Sequence, residues 1–196
     1  MIALFGPTAS GKTAVAAALR ALLAADGNAA ALISADSAAL FAGLPIITAA
    51  PSDHTQLVGV VPLTEDVSLG DYQRRAHLAI DVALATDRIP FVVGGTGLYF
   101  RAAISSLAVP PPVAPERRVH WQAEYDRLGP EGAHALLRSV DAEAGRRVHA
   151  NDRRRVVRAL ELAETGTSLA PEHDSLWADD ARHETLLLGL DVPLPE

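Results

Sequence analysis

Apolar runs of five or six residues alternate along this chain with longer stretches whose apolar positions recur at helical spacing. Met1–Phe5 is wholly apolar and stops at Gly6, the pattern of a buried strand. Residues 13–25 are mostly Ala and Leu with a single Arg, a strong helix former. Ala29–Ser34 is a second apolar run, closed by Asp36. Strand, glycine loop, helix and strand make a βαβ unit, which requires parallel strands. Residues 43–69 hold Pro45, Pro51 and Pro62 among Thr, Ser and Asp and are expected to be loop. Gly70-Asp71 opens a helix to about Asp87, with Ala76, Ile80, Ala83 and Leu84 on its apolar face. Ile89–Val93 is the next strand, closed by Gly94-Gly95, and a short helix follows over about 97–107. Pro110, Pro111, Pro112 and Pro115 break the pattern. They form a connector, because proline fits neither a helix interior nor a central strand. A helical insert is predicted from 116 to 166 and a late strand at Leu186–Leu190.

Composition narrows the class. The chain has 196 residues, 49% of them hydrophobic and 21% charged, as a globular domain requires. It contains no cysteine, which excludes disulfide frameworks, thiolate zinc sites and cysteine nucleophiles. No apolar run reaches the roughly 18 residues of a membrane span. The N-terminus has no basic segment ahead of an apolar stretch, so no signal peptide is expected. A cytoplasmic protein without membrane contact follows, and a monomer is expected.

The formal net charge of −7 argues against a general nucleic-acid binder. The charge is uneven, however. Residues 117–158 hold 10 basic and 6 acidic side chains in an otherwise acidic chain. Solvated helix faces explain such a segment most simply, and a phosphate-contacting surface is the sharper alternative. Of the 17 basic residues, 16 are Arg, and the one lysine is Lys12.

That lysine lies in Gly6-Pro7-Thr8-Ala9-Ser10-Gly11-Lys12-Thr13, which matches G-x-x-x-x-G-K-[ST] at each fixed position between a predicted strand and a predicted helix. Glycines let the backbone wrap a phosphate, and amides at the helix N-terminus point at it. Lys12 adds a compact charge, and the Thr13 hydroxyl can bind Mg²⁺. A tight turn that binds nothing would not need the chain's one lysine there. A P-loop specifies a phosphate chain but no reaction. The strand Phe91-Val92-Val93 runs into Gly94-Gly95-Thr96, with none of the carboxylate that an NTPase uses to organise Mg²⁺. The carboxylate at a strand end is Asp36 instead. In an open parallel sheet the carboxyl ends of strands line the ligand crevice, so Asp36 and Thr96 should face the phosphate loop. Asp36 is suited to general-base work there, or it caps the turn at Ser37. The fold class expected is α/β, a P-loop NTPase-like parallel sheet flanked by helices, with a helical insert. Residues 1–115 form the core, 116–166 the insert and 167–196 the return to the core.

Together these residues resemble the bacterial tRNA dimethylallyltransferase (tRNA isopentenyltransferase) family. The wording GPTASGKT, Ser34-Ala35-Asp36-Ser37, Arg88-Ile89-Pro90 through Val93-Gly94-Gly95-Thr96-Gly97-Leu98-Tyr99, and His149, Asn151-Asp152 with Arg155-Val156-Val157-Arg158-Ala159-Leu160-Glu161 follow the family's motifs in order. Ala39 stands where the family often has Gln, and Ala50 where it has Lys. The family continues past the position of Glu196, so this chain is expected to lack a C-terminal part.

The resemblance implies transfer of a dimethylallyl group from dimethylallyl diphosphate to the exocyclic amine of the adenosine 3′ to the anticodon in tRNA. Gly6 to Thr13 would hold the diphosphate with Mg²⁺. Asp36 would be the general base, and Thr96 would contact nucleotide and diphosphate. Asp36, Ser37, Ala38, Ala39, Thr96, Arg118, Arg154, Arg155, Val156, Val157 and Arg158 would contact tRNA. An adenine must leave its stack to react, and Tyr99 could receive it or could simply pack in the core. The alternatives are a P-loop small-molecule kinase or nucleotide-binding (ATP-binding) protein, a prenyl transfer to free adenine nucleotide, and an inactive truncated homologue that binds diphosphate or RNA.

Overall fold

The structure is a computed structural model that describes residues 1–51, 54–170 and 180–191. It contains two compact units, Met1–Leu107 with Leu176–Glu196, and Ala108–Ser175. Among the described residues no helix is long and apolar enough to cross a membrane.

The first unit is built on four strands, β1 (Ile2–Phe5), β2 (Ala30–Ser34), β3 (Ile89–Gly94) and β4 (Leu186–Gly189), all parallel in the order β2-β3-β1-β4. Helices α1 (Lys12–Ala25), α2 (Leu69–Ala85) and α3 (Gly97–Ile104) flank the sheet. This is the expected α/β class. Alternate residues of each strand serve the two faces. Leu4, Leu32 and Phe91 pack with Ala16 of α1. Ala3, Ile33 and Val92 pack on the other side with Tyr72, Ala76 and Ile80 of α2 and Phe100 of α3. Both faces of β2 and β3 are covered, so these strands read as unbroken apolar runs, whereas the edge strand β4 is mostly exposed.

Several boundaries shift for local reasons. Helix α2 starts at Leu69 because Ser68 forms a capping box with Asp71, each side chain bonding the other's backbone amide. Leu84, expected on the apolar face, is 43% exposed, whereas Tyr72 and Ala79 are buried. Residues 43–69, expected to be loop, contribute the fully buried Val61. Gln56 in this stretch accepts from the Ser34 amide and donates to the Leu32 carbonyl, 3.0 and 2.9 Å, along the outer edge of β2.

The second unit comprises α4 (Pro115–Val140), α5 (Ala142–Arg147) and α6 (Arg153–Ala163). Pro115, read as connector, is the first residue of α4, a position whose amide has no helical partner to lose. The helix is interrupted at Gly129, whose φ of 71° is left-handed, just before Pro130. Leu137, Ala144, Val156 and Leu160 form the core of this unit. The His149 and Asn151-Asp152 motif is a helix start: the Asp152 carboxylate accepts from the Arg155 amide at 3.0 Å and caps α6.

One histidine joins α2 to the end of α3. His77 Nε2 lies 3.0 and 3.1 Å from the carbonyls of Ala102 and Ser105. Carbonyls only accept, so the proton sits on Nε2. Burial, helped by the charge of Arg182, lowers the His77 pKa from its ordinary 6.5. The unfolded chain therefore binds this proton first as pH falls. The contribution is fully present above about pH 6.5 and declines below it, toward the depressed folded value. A melting-temperature series from pH 7.5 to 5.5 should show a shallower decline for His77→Gln than for the parent, and equal slopes would remove His77 from the acid response.

Candidate functional site

The parallel register brings three strand ends to one edge. Phe5 pairs with Gly94, and Ser34 with Val93, so the segments after β1, β2 and β3 leave the sheet side by side. Gly6–Gly11 joins β1 to α1. Gly11, at φ 85°, is the residue before the helix, and Lys12 is its first helical position. Ala9 also has a positive φ of 64°, so the loop turns through left-handed backbone at two points. The Ser10 amide donates to the Pro7 carbonyl, 3.3 Å. The Lys12 ammonium donates to the same carbonyl. Partial burial lowers the Lys12 pKa, and the charge of Asp36 opposes that shift.

The two glycines at the end of β3 hold this geometry. A Cβ on Gly95 would lie 2.8 Å from the Gly6 carbonyl and 3.2 Å from Lys12 Nζ. One on Gly94 would lie 2.3 Å from the Ala35 carbonyl, far inside van der Waals contact. In the sequence these glycines close the strand and belong to the motif ending at Tyr99. Their role needs three-dimensional neighbours to be visible.

Asp36 follows β2 and does two things at once. Its Oδ1 accepts from the amides of Ala38 and Ala39 at 2.8 and 3.2 Å, which caps the turn after the strand. Oδ2 has no hydrogen-bond partner among the described residues. The carboxylate is thus oriented by one oxygen and available through the other. A cavity of about 360 Å³ opens here, lined by Thr8, Lys12, Thr13, Asp36, Ala39 and Thr48 among others. Ala9, Ala16, Leu32, Ala49, Pro51 and Val93 supply its apolar wall. Gly6, Pro7 and Ser10 belong to the loop but do not line the cavity.

Thr96 directly follows Gly95 and precedes α3; it does not line the cavity, and neither do Ser37 and Ala38. The Tyr99 ring lies 4.5 Å from that of Tyr72, against the core cluster. Tyr72 itself is fully buried and donates to the Ser34 carbonyl at 2.9 Å. Of the two roles open to Tyr99, this placement is core packing.

The second unit revises the charge argument. Over residues 108–175 the chain has 10 basic and 11 acidic side chains, so the unit as a whole is not basic. Most of its arginines are ion-paired. Arg117 pairs with Glu164, Arg118 and Arg158 with Glu161, Arg153 with Asp126, and Arg155 with Asp152. Arg154 is exposed and has no ion pair among the described residues. Val156 and Val157, expected in the RNA-contacting stretch, are 0% and 5% exposed. Their side chains belong to the unit's core, which leaves any surface contact on α6 to its arginines.

Comparison with known proteins places this architecture. The model of the family described as IPP transferase matches residues 39–196. The chain belongs to the IPP transferase family. A curated relative, the tRNA dimethylallyltransferase of Nitratidesulfovibrio vulgaris, is 41% identical over 201 residues, covering 99% of this chain and 63% of the relative. Among solved structures, a tRNA delta(2)-isopentenylpyrophosphate transferase from Staphylococcus epidermidis is 26% identical with a TM-score of 0.54, covering 96% of this chain and 62% of the other. A eukaryotic dimethylallyltransferase acting on tRNA shares the fold at 20% identity, with a TM-score of 0.72 over 97% of this chain and 48% of that one. The chain spans about three fifths of the length of the curated relatives it matches.

In this IPP transferase family member the phosphate loop should depend on both its charge and its glycine wall. Lys12→Ala should weaken inorganic diphosphate binding at least tenfold, about 1.4 kcal/mol. Gly95→Ala should cause a loss of similar size, because the new methyl occupies the space beside the ammonium. Titration calorimetry on both variants checks this, and parent-like affinity in Gly95→Ala would show that the loop yields to the methyl.

Proposed function

We propose that this chain transfers a dimethylallyl group from dimethylallyl diphosphate to the exocyclic amine of the adenosine 3′ to the anticodon of tRNA. The observation that carries this is one cavity holding a phosphate loop, an oriented carboxylate and a wall of small apolar residues, in a chain of the IPP transferase family. Ligand pockets run from roughly 300 to 1,000 Å³, and this cavity is at the small end. That suits a diphosphate carrying a short alkyl group. Strand β3 ends in glycines where a nucleoside triphosphatase would place a carboxylate, which disfavours the kinase alternative.

The residues divide the chemistry. The loop amides at the start of α1 and the Lys12 ammonium hold the diphosphate oxygens, where negative charge grows as the leaving group departs. The bond from the allylic carbon to the diphosphate oxygen breaks, and its electron pair leaves with the diphosphate. The adenine amine forms the new carbon–nitrogen bond, and its proton passes to the Asp36 carboxylate. Thr96 contacts the nucleotide beside the diphosphate. Exposed Arg154 and Arg155 contribute phosphate contacts in the second unit.

Among the described residues no cluster of three His, Cys, Asp or Glu could cage a metal ion. Thr13 lines the cavity, and its hydroxyl with diphosphate oxygens and water is the hard oxygen set that Mg²⁺ accepts. Bound there, Mg²⁺ would neutralise charge on the leaving group. A cytoplasmic monomer completes the proposal.

The test is transfer of labelled dimethylallyl from its diphosphate to unmodified tRNA by the purified chain. Asp36→Asn keeps an oxygen for the Ala38 and Ala39 amides but cannot take the proton. It should bind diphosphate normally and lose roughly 10²-fold or more in kcat. Near-normal turnover would reduce Asp36 to a turn residue. Phosphoryl transfer from ATP without any need for tRNA would replace the proposal with the kinase alternative.

A further inference from the structure

Glu161 is the one carboxylate buried among the described residues, at 1% exposure. It sits on α6 and is shared by two arginines. Its Oε1 accepts from Arg118 Nε at 3.4 Å, and its Oε2 from Arg158 Nη1 at 3.0 Å. Arg158 Nη2 donates to the Pro111 carbonyl at 2.8 Å, so both terminal nitrogens of Arg158 are committed. Arg118 differs. Its side chain is 47% exposed, it is held through Nε, and its two Nη groups have no hydrogen-bond partner among the described residues.

Two guanidinium groups on one carboxylate leave a local charge of plus one. A guanidinium fixed at Nε presents its Nη groups in a set plane, and that planar fork matches a phosphate bidentately. Holding a long side chain in place beforehand also reduces the ordering cost of binding. We propose that Glu161 is a positioning residue, which fixes Arg118 through Nε so that its Nη groups form a ready fork for a backbone phosphate of the RNA. This rests on tRNA being the substrate.

A buried carboxylate that only staples α4 to α6 would also matter for stability, so the test separates the two roles. Arg118→Lys keeps the charge and loses the fork. Glu161→Gln loses the buried charge, and Glu161→Asp keeps it. Each variant and the Arg118→Lys/Glu161→Gln double variant of the full chain is titrated with tRNA and with dimethylallyl diphosphate, and melted.

Arg118→Lys should weaken tRNA binding about tenfold with diphosphate affinity unchanged. Glu161→Gln should weaken it by a similar factor when Arg118 is present and by much less in the Arg118→Lys background, because the two act as one unit. Glu161→Asp should recover part of the loss. Equal effects of Glu161→Gln in both backgrounds, or parent-like tRNA affinity in Arg118→Lys, would overturn the assignment; the second result stands even if Glu161→Gln fails to fold. A parent chain that binds no tRNA at all overturns the functional proposal itself and this assignment with it, a result distinct from tRNA binding that ignores Arg118.

Discussion

Three strand ends have to approach one phosphate loop closely enough for backbone to touch backbone. Gly94 sits against the Ala35 carbonyl and Gly95 against the Gly6 carbonyl and the Lys12 ammonium, at distances that leave no room for a Cβ. The parallel register sets this approach, since it places the exits of β1, β2 and β3 level with one another. Almost every feature of the site follows from it. The Lys12 ammonium donates to the loop's own Pro7 carbonyl and lies beside the bare backbone of Gly95. The carboxylate after β2 reaches the same cavity because β2 lies beside β3.

Charge in this molecule is handled locally. Lys12 is partly buried, which lowers its pKa, and the nearby charge of Asp36 opposes that shift. In the second unit, nearby carboxylates answer most of the arginines, with Glu161 serving two of them. Exposed pairs of this kind add little stability each. Their larger consequence is orientation, because a guanidinium held at one edge offers a defined second edge to an incoming anion. A surface can therefore recognise phosphate without a net positive field around it.

The sheet, its helices and the phosphate loop were legible in the sequence. Each is written in short-range terms: apolar runs for doubly covered strands, Ala and Leu for α1, and a fixed spacing of glycines, lysine and threonine. Where a local rule met a distant neighbour, the sequence was misleading or silent. Leu84 continued the helical spacing but fell outside the contact between α2 and the sheet. The stretch around Val61 is loop, as expected, but nothing in its composition marked Val61 for full burial. Tyr99 was open to two roles, and its ring lies beside that of Tyr72.

What the chain's residues determined by themselves was the α/β class, the P-loop motif between β1 and α1, and Asp36 as the carboxylate at a strand end. Spacing along the chain is enough to specify a loop that wraps a phosphate, because the donors come from consecutive amides. Tertiary structure alone decided which glycines leave no room for a Cβ beside that loop, that Val156 and Val157 face a core, and that Arg118 and Arg153 meet carboxylates of other segments. Pairs such as Arg155–Asp152 and Arg158–Glu161 lie one helical turn apart and within a single window of the chain. Arg118 and Glu161, by contrast, are 43 residues apart and meet only across packed helices, so only the folded arrangement could show that one carboxylate serves two arginines and leaves nitrogen edges open.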